Sequence, residues 1–177
     1  MKWLFTIIAL SASLHAEVAD SGPAGFTIKS TWTIRAAPDE VYKRLMNNVG
    51  DWWNPEHTWS RDAHNLSIEA RINGCFCEKL PNNGGVRHLQ VIYLDPGKTV
   101  RFSGGLGPFQ SMAVNGVMTI QLTPGEGGMT KLSLTYTVGG YFEKGLDTIA
   151  PGADGMLKEQ FGRLKSYVET GSPVEKK

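Results

Sequence analysis

Phe26–Arg35 reads FTIKSTWTIR, and Ala37–Glu40 continues it with APDE. Phe26, Ile28, Trp32 and Ile34 fall on alternate positions, the period of a strand with one buried face. Proline lacks an N–H that the first turn of a helix does not use, and Asp39 and Glu40 stand at the positive end of the helix dipole. A helix is therefore predicted from Pro38. Val41, Leu45 and Met46 give it an apolar side, and it should end near Asn47–Gly50, where Asn and Gly tolerate left-handed dihedral angles.

Working outward, the aromatic cluster Asp51-Trp52-Trp53-Asn54-Pro55 leads into a loop carrying His57, Trp59 and His64. Strand-like runs then follow at Leu66–Arg71, Cys75–Leu80, Val86–Leu94, Thr99–Ser103, Ala113–Thr123 and Thr130–Val138. The breaks between them, such as Asn73-Gly74, Pro81–Gly84 and Asp95-Pro96-Gly97, supply residues that accept turn dihedrals. Short strands joined in this way predict an antiparallel meander. The chain closes on a helix from about Gly152 to Val168, where Met156, Leu157, Phe161, Leu164 and Val168 recur at helical spacing. The expected class is α+β, with a curved antiparallel sheet of about seven strands wrapped around the terminal helix.

Ahead of this domain, residues 1–16 have the parts of a secretory leader: Lys2, an apolar run from Trp3 to Leu10 and a small residue at Ala16. The run is shorter than the roughly 20 apolar residues that span a bilayer. The expected division is a leader at 1–16, a flexible segment at 17–25, one domain at 26–170 and a disordered tail at 171–177. Cleavage would leave a secreted or periplasmic protein with no stable membrane insertion. The 18 Lys+Arg and 17 Asp+Glu become equal once Lys2 is removed, so no basic excess points to nucleic acid.

The order of these pieces carries a resemblance. A-P-D-E-V-Y, the W-W cluster, N-G-C-F-C-E, G-V-R-H-L, D-P-G-K, G-G-L-G-P-F-Q, Y-T-V-G-G-Y and R-L-K-S-Y together resemble the START/SRPBCC superfamily, near the branch of Hsp90-ATPase activator domains and polyketide cyclases. The resemblance spans Phe26 to about Tyr167. It implies a helix-grip fold of the Bet v 1 type, often enclosing an apolar cavity, in proteins that bind lipids, sterols or polyketides, that cyclise or dehydrate them, or that act as protein partners.

Cys75 and Cys77 are the only cysteines. Two apart in a strand, their Cα atoms should lie about 6.5–7 Å apart, at the outer limit for a disulfide. Free, buried thiols are expected. If Asn82-Asn83 forms the tip of a two-residue hairpin, Cys77 faces His88 and Glu78 faces Arg87, which sets both cysteines and His88 on one face. If Asn83-Gly84 forms it, Gln90 faces Cys77. Two sulfurs and an imidazole suggest zinc, but no fourth ligand stands out, and neither metal nor cofactor is expected. Gly104–Pro108 lacks the lysine of a phosphate loop and reads as a bend between strands.

Acid–base candidates are His57, Glu69, Glu78, His88 and Asp154. Arg101, in an apolar strand, could meet Glu69 or a ligand carboxylate. The site expected from the fold is a cavity between sheet and terminal helix lined by Trp52, Trp53, His88, Arg101, Tyr136 and Met156. Three functions compete for it. The leading one is a non-catalytic carrier or sensor of a small hydrophobic molecule. The others are a cyclase- or dehydratase-like enzyme with His88 or a carboxylate as acid/base, and a protein-interaction module, which export disfavours. The sequence is silent on oligomeric state.

Overall fold

The computed structural model describes residues 17–174; residues 1–16, expected to form a leader, and residues 175–177, the end of the expected tail, lie outside the described residues. Eight strands form one antiparallel sheet: β1 (Glu17–Gly22), β2 (Gly25–Ile34), β3 (Leu66–Ile68), β4 (Cys75–Leu80), β5 (Gly84–Asp95), β6 (Thr99–Gly104), β7 (Ala113–Pro124) and β8 (Thr130–Tyr141). Their order is β1-β2-β8-β7-β6-β5-β4-β3, so β3 to β8 form the predicted meander and β2 closes onto β8. Helix α1 covers Pro38–Asn47, α2 the single turn Val49–Trp52, and α3 the long terminal stretch Ala150–Thr170. The curved sheet and terminal helix make the α+β helix-grip arrangement.

Two segment boundaries differ from expectation. Residues 17–22, read as flexible, form β1, paired with β2 from Glu17↔Lys29 to Gly22↔Gly25. EVADSG has no apolar alternation, so its pairing comes from the hairpin reversal at Pro23-Ala24 and not from a buried face. Helix α3 outruns its predicted limits by about a turn and stops at Gly171, which caps it with φ 75°.

Aromatic side chains pack much of the space between the sheet and α3. Trp32 of β2 stacks on Phe161 of α3 with ring centroids 5.3 Å apart, and Trp52 lies 6.1 Å from the same ring. Trp53 continues the column beside Trp52, then Phe76 of β4 and finally His88 of β5. These aromatics occupy the part of the interior next to Trp52 and Phe161. Along β7, Gly116 makes room for Tyr136 of β8: a Cβ there would stand 2.5 to 2.8 Å from the Tyr136 ring and hydroxyl.

Candidate ligand pocket

The cavity of interest lies where the aromatic column ends. It measures about 440 Å³ and is bounded by the 55–61 segment, the Leu106–Pro108 bend, β4, β5 and α3. Trp53, Phe76, Leu106 and Met156 give it an apolar wall, and Trp59, 55% exposed, stands at its mouth. Its volume falls within the usual range for small-molecule sites.

The deepest polar group on the wall is His88, and a β-bulge puts it there. Along β4–β5, Phe76 pairs with Leu89 but Cys77 pairs with Arg87, so His88 is an extra residue on β5. A bulge breaks the alternation of faces, and His88 and Leu89 are both buried as a result. His88 therefore shares the interior with Phe76 and Glu78, and not the cysteine face that the Asn82-Asn83 reading gave it. That reading holds for Phe76↔Leu89 and Cys75↔Gln90, and fails from Cys77 to Leu80.

Behind His88 stands Glu78, with no exposed side-chain surface. One carboxylate oxygen accepts from His88 Nε2 at 3.0 Å and from the Trp59 N–H at 3.1 Å; the other accepts from the Ser60 N–H at 2.5 Å. Burial pushes this carboxyl upward, but the donors from Ser60, Trp59 and His88 outweigh it and hold it below the ordinary carboxylate value. Burial likewise holds the His88 imidazole below its ordinary value, against the opposing pull of Glu78. The pair is thus a neutral imidazole on an ionised carboxylate. With Nε2–H given to Glu78, Nδ1 is left as a bare acceptor, and among the described residues it has no partner.

Glu78 also fastens the pocket's cover, since its two backbone donors belong to the 55–61 segment. The outer side of that segment is tied by Arg61 to Glu56 at 2.6 Å and by His57 to Glu159 at 3.0 Å.

Of the six expected site residues, the structure brings Trp53, His88 and Met156 to the pocket. Trp52 is buried one ring further in, its indole N–H donating to the Arg44 carbonyl. Tyr136 is wholly buried in the core, where burial pushes its phenol far up. Arg101 points to the outer face, bonded to Thr119 Oγ1 and lying 5.3 Å from the Tyr93 ring centre. It meets neither Glu69 nor the pocket. Among the other acid–base candidates, Glu69 pairs with Arg71 and Asp154 with Lys158.

The cysteines depart from expectation most clearly. Cys75 and Cys77 are joined as a disulfide, with Cα atoms 5.3 Å apart. The strand is contracted beside the bulge, which brings the pair within bonding range. The zinc set of two thiols and His88 is not assembled, because the sulfurs are bonded to each other and His88 faces inward. Among the described residues, no group of three or more His, Cys, Asp or Glu could hold a metal ion. None of the described helices is long and apolar enough to cross a membrane.

A family model described as polyketide cyclase / dehydrase and lipid transport matches residues 25–169, and the chain belongs to that family. The START/SRPBCC resemblance therefore holds over almost the whole described domain. Among solved structures, a conserved protein of unknown function from Enterococcus faecalis is 16% identical with a TM-score of 0.61, over 89% of this chain and 80% of that one. The protein DynU16 of the dynemicin biosynthetic locus is 17% identical at TM-score 0.57, over 83% of this chain and 48% of that one. Ara h 8.0201 is 15% identical at TM-score 0.56, over 81% of this chain and 97% of that one. At such identities these neighbours bear on the fold alone. No curated protein matches the sequence.

Proposed function

We propose that this chain is an exported binding protein for a small, largely apolar molecule that carries one hydrogen-bond donor. The observation behind this reading is the aromatic pocket with His88 on its wall, whose buried Nδ1 has no partner among the described residues. An apolar wall favours burial of a ligand's carbon skeleton, and a buried acceptor without a partner favours a ligand that supplies an O–H or N–H. The family description, which names lipid transport and polyketide chemistry, supports the same ligand class.

Met156 offers the direct test. Replacing it with Trp fills the pocket from the α3 side, so the variant should remain folded, at a packing cost of roughly 1–3 kcal/mol at most, and should no longer take up an apolar fluorescent dye that the wild type binds. A wild type that never takes up the dye would remove the binding reading.

The His88–Glu78 pair favours a second reading. A neutral imidazole backed by a carboxylate is arranged as a general base, with Glu78 placed to stabilise the imidazolium that forms. In a cyclase- or dehydratase-like role His88 would withdraw a proton at Nδ1. Recovery of the ligand unchanged after long incubation would leave the carrier role alone.

Export is part of the proposal. The leader pattern at 1–16 supports it, and so does the Cys75–Cys77 bridge, since disulfides persist in oxidising compartments. The intact mass of the mature protein should correspond to a chain beginning at Glu17; a chain retaining Met1 in the cytoplasm would contradict it.

A further inference from the structure

The β4–β5 ladder changes register once, between Phe76 and Cys77, and its first pair, Leu80↔Gly84, is offset by one residue from the turn that closes it. The Gly84 N–H donates to the Pro81 carbonyl at 3.1 Å, closing a turn around Asn82 and Asn83, whose φ values of 57° and 61° are both left-handed. Cys75↔Gln90 and Phe76↔Leu89 lie on the ladder that such a two-residue turn would start. Between turn and ladder, Cys77–Leu80 pairs with Gly84–Arg87 one residue out of step. Pro81 is the spare residue at the turn and His88 the spare residue on β5.

The disulfide straddles the register change. An extended strand sets residues two apart at roughly 6.6 Å, whereas Cys75 and Cys77 are held at 5.3 Å. The bridge therefore shortens β4 at the step where β5 accommodates His88. It closes so small a loop that it removes little entropy from the unfolded chain, which leaves it a poor staple. Both cysteines are half-buried, within reach of a thiol, and the exposed Arg87 is the cross-strand partner of Cys77. A cation on that face favours a departing thiolate.

We propose that Cys75–Cys77 is a thiol–disulfide exchange site for a dithiol reductant, and that its bridge holds the slipped register and with it the His88–Glu78 pair. The proposal rests on the pocket reading above. A reductant thiolate attacks one cysteine sulfur, the S–S bond breaks and the other cysteine leaves as thiolate. The second reductant thiol then displaces the first cysteine, and the reductant departs as a cyclic disulfide. Two electrons and two protons end on Cys75 and Cys77.

With the bridge open, β4 is free to lengthen and the ladder from the Asn82-Asn83 turn can run through unslipped. Cys77 then faces His88, and Glu78 faces Arg87. Because a one-residue shift reverses the faces, His88 leaves the interior and Arg87 enters beside Glu78. Exchange thereby replaces a neutral acceptor in the pocket with a cation.

The test follows the His88 Nε2 proton by NMR, a protected downfield resonance while Glu78 holds it, as the chain is treated with dithiothreitol under native conditions. Both cysteines should become alkylatable with the far-UV circular dichroism unchanged, and the resonance should be lost. The double variant Cys75→Ser/Cys77→Ser should lack the resonance from the outset and ignore the dithiol. A bridge that opens only on unfolding, or a resonance that survives either reduction or the double substitution, would overturn the proposal. No ligand enters this readout, so failure of the oxidised chain to take up an apolar dye counts against the pocket reading and leaves the exchange result to stand by itself.

Discussion

Replacing Glu78 with alanine should lower the unfolding free energy by about 3–5 kcal/mol, with a reduced denaturant midpoint at unchanged slope. The size follows from the donors that Glu78 serves: the Trp59 N–H, the Ser60 N–H and His88 Nε2. A buried donor left without an acceptor costs roughly 1–3 kcal/mol, and water reaching the 55–61 segment recovers part of the total. The same change frees the pocket's cover, so dye uptake should weaken together with stability. Glu78→Gln keeps the shape and one acceptor oxygen and should lose distinctly less. Equal stability of Glu78→Ala and wild type would mean that the carboxylate does not hold the cover.

Acid should act on the same pair. The native pKa of Glu78 is depressed, so its contribution is complete above the ordinary carboxylate value, about 4.3, and is lost as pH falls through the lower native value. The native pKa of His88 is depressed too. Below about 6.5 the unfolded chain takes up a proton that the native imidazole refuses, and stability again falls with falling pH. Both groups therefore act in one direction, giving a thermal midpoint that declines below about pH 6.5. His88→Phe should flatten the upper part of that decline and Glu78→Gln the lower part.

The second large effect concerns ligand choice. His88→Phe keeps an aromatic ring beside Phe76 but removes the bare acceptor. Binding of a phenolic ligand such as naphthol should weaken roughly tenfold to a hundredfold, the worth of a buried hydrogen bond and its unsatisfied partner. Binding of the methyl ether of naphthol, which has no donor, should hold, since phenylalanine removes only the acceptor that the ether cannot use; the loss of a donor to Glu78 registers in stability instead. A parallel loss for both ligands would assign His88 a packing role only.

Much of the fold was legible because apolar period and turn residues agree. FTIKSTWTIR, APDE and the terminal Leu157–Leu164 spacing each place an element within a few residues of its observed limits. β1 was not legible, since EVADSG buries no regular face and is held by its neighbour. The site was harder to read, because a bulge decides it. Its trace lay in the order of apolar positions along β5: Val86 and His88 keep one phase, and Leu89 and Val91 take up the other. That change of phase marks an extra residue, and overlooking it put His88 on the cysteine face. The same oversight hid the disulfide, because the contraction of β4 accompanies the bulge. Tyr136 was misplaced for another reason: strand alternation distinguishes inside from outside, and says nothing of where along the sheet the interior stays open; Arg101, between the buried Val100 and Phe102, was readable from alternation as an outward residue.

Calorimetric titration of the oxidised wild-type chain with naphthol and with its methyl ether tests the central claim most directly. A pocket that offers aromatic walls and the unpartnered His88 Nδ1 predicts that both ligands bind at one site and that naphthol binds at least about tenfold more tightly. Equal affinities, or no binding of either, would contradict it.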